Sequence, residues 1–82
     1  MELLNKMLKT RVHHQVGRLA VKDSEDEDSI VYVVWEIGEQ GRDVRLVELD
    51  RPQDGENHFV NLDEELVYLL EPIEVLERVT QW

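Results

Sequence analysis

Residues Ile30-Val31-Tyr32-Val33-Val34-Trp35-Glu36-Ile37 place seven apolar side chains in eight consecutive positions, all seven β-branched or aromatic. Such a run suits a pleated surface, so it is read as a strand. Alternation sends Val31, Val33, Trp35 and Ile37 to one face and Ile30, Tyr32, Val34 and Glu36 to the other. Both faces are largely apolar, so both need cover, and the strand belongs in the middle of a sheet. Gly38-Glu39-Gln40-Gly41-Arg42 then supplies a turn with two glycines, and Val44–Leu49 returns as the partner strand. The apolar phase slips between Leu46 and Val47, which predicts a β-bulge in that partner.

The elements around this hairpin follow from the same patterning. Asp23-Ser24-Glu25-Asp26-Glu27-Asp28-Ser29 carries five carboxylates in seven residues and is a solvated loop. Before it, a strand is expected over residues 15–22, with Leu19 and Val21 on one face. Further upstream, Leu3, Leu4, Met7, Leu8 and Val12 recur at helical spacing and predict an amphipathic helix within residues 1–13. A helix of about ten residues is marginal alone in water, so it is expected to pack on the sheet. Pro52 and Asp54-Gly55 mark a loop before His58-Phe59-Val60.

Two readings of the C-terminal third stand side by side. Leu62, Leu66, Leu69, Ile73, Leu76 and Val79 follow helical spacing, with Asn61 and Glu64 as a capping box and Pro72 as a kink or a division. The other reading makes Asp63-Glu64-Glu65 a turn and Leu66–Leu70 a strand. On that reading the segment from Glu64 to Pro72 resembles the one that closes small SH3-like barrels. The expected fold is α+β. It comprises an antiparallel meander of three to five strands, with a small SH3-like barrel as one closure. An N-terminal amphipathic helix joins it and, on the first reading, a short C-terminal helix. Eighty-two residues imply one domain over 1–82, a helix at 1–13 followed by an acidic body at 14–82.

Charge narrows the function classes. Residues 1–22 hold one acid against five bases, a balance of +4; residues 23–82 hold eighteen acids against four bases, a balance of −14, giving the net −10. A body this negative repels phosphate backbones and attracts cationic partners, so direct nucleic-acid binding is not expected. The absence of cysteine removes disulfides and thiolate chemistry and favours a reducing cytoplasm. No apolar run reaches the roughly 18 residues of a membrane span, and no signal-peptide pattern opens the chain. A domain this small buries only about 60% of its unfolded surface, so a homodimer or a bound partner would help to cover it.

Templates for chemistry fail one after another. Counted from Asp23, the calcium-loop positions for glycine and glutamate hold Asp28 and Val34. His13 and His14 are adjacent, not four apart, and His58 is remote, so no helical zinc pattern exists. Among the hydroxyls, Ser24 and Ser29 lie in the acidic loop, where negative charge opposes an alkoxide or an oxyanion. Gly38-Glu39-Gln40-Gly41 matches the GxxG spacing of a KH loop, but it joins two strands and carries a glutamate. No catalytic residue, metal ligand or cofactor is assigned.

The expectation is therefore a non-catalytic interaction module that docks a basic surface on a protein partner. Asp23, Glu25, Asp26, Glu27, Asp28, Asp63, Glu64 and Glu65 are the expected acidic contacts, and Trp82 is a candidate anchor. The alternative is a phage-type inhibitor that mimics nucleic acid, which would need a continuous acidic face spaced like phosphates. A third possibility is that the charge serves solvation in a salt-rich cell and has no partner; the chain has only three lysines.

Overall fold

The computed structural model describes residues 1–7, 13–26, 28–50 and 58–80. Among these residues the strands are β1 (Glu2–Leu3), β2 (Leu19–Val21), β3 (Tyr32–Ile37), β4 (Asp43–Glu48), β5 (His58–Asn61) and β6 (Tyr68–Leu69); one α-helix, α1 (Pro72–Thr80), follows them. Short 3-10 turns lie at Leu4–Lys6 and His13–Gln15. The six strands form one open antiparallel sheet in the order β1-β6-β2-β3-β4-β5, with β1 and β5 at its edges. This exceeds the three to five strands expected, and an open sheet replaces the closed barrel.

The run that most constrained the sequence becomes β3, flanked by β2 and β4. The hairpin to β4 closes with the Gly38 N–H donating to the Asp43 carbonyl at 2.8 Å and the Gly41 N–H donating to the Gly38 carbonyl at 2.9 Å. Gly41 has φ of 69°, which a side chain would resist. A bulge is present, but on β3 and not on its partner. Val34 pairs with Leu46 and Glu36 with Arg45, so Trp35 is the extra residue. Inserting it moves burial by one position, so that Tyr32, Val34 and then Ile37 share a face. Leu46 and Val47 are both buried because both faces of β4 are covered there, and that is what mimicked a phase slip.

One face holds the main core, including Leu4, Ala20, Val34, Leu46, Val60 and Leu69, with Met7 and Leu62 at its margin. The other face carries a smaller patch of Val21, Val31 and Leu70, against which Leu19, Leu49, Tyr68 and Val75 of α1 pack. The alternation expected for residues 15–22 thus holds over a shorter strand: Ala20 faces the main core, and Leu19 with Val21 faces the patch.

The N-terminal amphipathic helix is not formed. Glu2 and Leu3 pair with Leu69 and Tyr68, and the Leu4 N–H donates to the Val67 carbonyl at 2.9 Å. Leu4 is fully buried in the main core. A strand and a tight turn bury Leu4 and leave Leu3 and Met7 half-covered. They also satisfy backbone groups of β6, which a helix, with its bonds all internal, would leave open. Residues 8–12 of that expected helix lie outside the described residues.

In the C-terminal third the turn forms at Asp63–Glu65, but the strand expected over Leu66–Leu70 is only Tyr68–Leu69, and a helix follows it. The Asn61 side-chain oxygen accepts the Asp63 N–H at 2.8 Å, and its carbonyl accepts the Glu64 and Glu65 N–H groups. That is an Asx turn and not a helix cap. Pro72 then occupies the first position of α1, where its missing N–H has no partner to lose. The Glu74 carboxylate accepts the Glu71 N–H at 3.1 Å, one half of a capping box. No helix among the described residues is long and apolar enough to cross a membrane.

Candidate interaction surface

The acidic loop is held by its own acids. Asp23 Oδ1 accepts the Glu25 N–H and Asp26 Oδ1 accepts the Asp28 N–H, each at 2.9 Å, and the Ser29 N–H donates to the Asp26 carbonyl at 3.1 Å. Short side chains that fold back onto the backbone two residues ahead build such turns without apolar support. Asp23, Glu25, Asp26 and Asp28 remain exposed. Asp63, Glu64 and Glu65 are exposed in the turn between β5 and β6, where Asp63 Oδ2 lies 3.6 Å from Arg42 Nε. Glu27 and Trp82 lie outside the described residues.

The two acidic groups do not come together. The 23–29 loop leads into the start of β3, whereas Asp63 is tied to Arg42 in the hairpin beyond its end, next to the Leu62 N–H bond to the Arg42 carbonyl at 2.7 Å. Six strand residues at about 3.3 Å each hold the groups on the order of 20 Å apart.

A different row of residues spans β3, β4 and β5. Glu36 pairs with Arg45, and Arg45 pairs with Phe59. Glu36 Oε2 lies 3.6 Å from Arg45 Nη1. Phe59 is 75% exposed and Trp35, the bulge residue beside Glu36, is 56% exposed. A largely apolar groove of about 170 Å³ opens here, lined by Glu36, Gly38, Asp43, Val44, Arg45 and Phe59. Sequence reasoning missed this row because alternation assigned Trp35 to a covered face. The exposure of Phe59 had a readable signal: in His58-Phe59-Val60, burying Val60 turns Phe59 outward.

A third grouping lies where β3, β4 and β5 meet near their other end. Tyr32, only 5% exposed, pairs across the strands with Glu48. His58 Nε2 lies 3.6 Å from Glu48 Oε1, and the His58 ring meets the Tyr32 ring edge-on with centroids 4.9 Å apart. Lys22 Nζ sits 5.4 Å from the centre of the Tyr32 ring, a cation–π contact. Burial pushes the Tyr32 phenol above its ordinary range, and the Glu48 charge adds to this. His14, in the 3-10 turn before β2, does not join His58: β3 and β4 stand between β2 and β5. Among the described residues no three His, Asp or Glu side chains gather as a metal ion would require.

No family model, no curated protein and no solved structure matches this chain.

Proposed function

We propose that this chain is a non-catalytic interaction module that docks a basic surface on a protein partner. The observation that carries the reading is the exposed Phe59 at a groove shared with Glu36 and Asp43 on the outer side of β3–β5, with the exposed Trp35 next to Glu36 in the chain. Exposed carboxylates contribute little net affinity, since water and salt screen them, but a chain of net −10 steers a cationic partner toward itself. Affinity comes from burying large rigid side chains at the centre of a contact, and aromatic residues serve that role best. The aromatic row and the surrounding acids thus divide the work of binding between them.

The separation of the two acidic groups favours this module over a mimic of nucleic acid. A mimic needs carboxylates in an unbroken strip at phosphate-like spacing. Two acidic groups off opposite ends of β3 make no such strip, and the exposed Trp35 and Phe59 add apolar surface that a protein contact can bury.

The test is a pull-down from the native host at low and high salt with the immobilised chain, alongside a Trp35→Ala/Phe59→Ala variant. A defined partner with a basic surface, held by the wild type, weakened by salt and lost by the variant, supports the reading. Capture that is indifferent to both substitutions sinks it.

A further inference from the structure

We propose that the groove between Glu36, Asp43 and Phe59 receives a single cationic side chain, arginine or lysine, from the basic partner. The proposal rests on the interaction reading and names the contact at its centre. Size argues first. Small-molecule sites run to about 300–1,000 Å³ and one water occupies about 30 Å³ of liquid, so a groove of about 170 Å³ suits one side chain.

The walls argue next. Phe59 is exposed beside the groove and offers a π-face, while the apolar lining covers the methylene stem that arginine and lysine carry. Glu36 and Asp43 bring two carboxylates against the one guanidinium of Arg45, which already lies 3.6 Å from Glu36. The groove is therefore net negative, within a chain of net −10. An anionic group would face both carboxylates, and a purely apolar side chain would strip water from them without replacing it. A cation meets the carboxylates and the ring together. A second copy of this chain would have to overcome the mutual repulsion of two such charges.

The groove also follows from the bulge. Trp35 is inserted just before Glu36 meets Arg45, and bulges re-aim the side chains that follow them. Gly38 lines the groove with no side chain to fill it.

The experiment titrates the full isotope-labelled chain with a capped Gly-Arg-Gly peptide and follows backbone amide shifts. A capped Gly-citrulline-Gly peptide serves as the neutral isostere. The expected result is saturable shifts in the millimolar range, centred on Gly38, Val44, Arg45 and Phe59 and absent with citrulline. Phe59→Ala and Glu36→Gln/Asp43→Asn weaken binding about tenfold or more. Glu2→Gln/Asp50→Asn, which removes the same charge elsewhere, leaves it unchanged; the amide spectrum of each variant reports its fold directly. Shifts that spread over the acidic loop, equal binding of citrulline, or equal loss in the charge control overturns the proposal. If a partner is still captured through Trp35 and Phe59 while the arginine peptide ignores the groove, this inference fails and the interaction reading survives. If no partner is captured at all, the reading beneath it fails too.

Discussion

The Asn5 carboxamide accepts the backbone N–H of Val67 at 2.8 Å, joining positions sixty-two residues apart in the chain. The same side chain donates to the Leu62 carbonyl at 2.7 Å and to the Glu65 carbonyl. One asparagine thus satisfies three backbone groups of the turn that leads from β5 to β6, while Leu4 beside it fills the main core. Asn5→Ala leaves a part-buried N–H without its partner, at a cost of about 1–3 kcal/mol. Asn5→Asp keeps the acceptor but aims a carboxylate at two carbonyl oxygens, and it is destabilising as well. Urea unfolding reads both as a lower midpoint at constant m-value; a midpoint equal to the wild type for Asn5→Ala would show that the bridge carries no stability.

How much of this was legible in the sequence depends on where each determinant lies. β3 was, because Ile30–Ile37 excludes helix by composition alone, and β4 followed from the turn at Gly38–Arg42. The end of the chain was readable in halves: the turn at Asp63–Glu65 belongs to one reading, and a helix belongs to the other, displaced to start at Pro72. The N-terminus was not readable, since Leu3, Leu4 and Met7 fit a helical stripe equally well. Only the edge of β6, far away in sequence, decides for strand and turn. The acids of the site were visible as composition, but their separation by the length of β3 was not. The groove depends on the register of three strands and on one inserted residue, Trp35, and no local pattern specifies either.

Tyr32 predicts a stability that falls in alkaline solution. Its folded-state pKa is raised above the ordinary 10.0 by burial and then by Glu48. The protonated phenol is therefore favoured in the folded protein. Its contribution is fully present below the unfolded value and is lost as pH rises through the folded one. Unfolding midpoints taken from about pH 9 to about pH 11 should decline for the wild type and decline less for Tyr32→Phe. Parallel curves would assign the decline to other groups.

Stability and binding should separate cleanly between the core and the outer row. Leu46 is fully buried at the centre of β4, so Leu46→Ala costs about 2–5 kcal/mol, as buried leucines do. Trp35→Ala and Phe59→Ala remove side chains that are mostly in water and should shift stability by no more than about 0.5 kcal/mol each. Thermal melts of the three variants check this ranking. A large loss from Phe59→Ala would mean that the ring supports the sheet and does not wait for a partner.

The start of α1 offers the last prediction. Glu74 Oε1 accepts the Glu71 N–H at 3.1 Å and lies 3.1 Å from the Met1 ammonium, so one carboxylate closes the first turn and ties it to the β1 edge. Through Val75 the helix covers the smaller apolar patch around Val21, Val31 and Leu70. Glu74→Ala removes both contacts and should cost about 1 kcal/mol, the usual size of a lost cap. Glu74→Gln keeps an oxygen for the Glu71 N–H and gives up the ion pair, so its loss should be smaller. Native-state hydrogen exchange locates the effect: faster exchange confined to Val75 and the residues after it marks a frayed helix on an intact sheet. Faster exchange that extends to Val34 and Leu46 in the core would show that α1 and the sheet unfold as one unit.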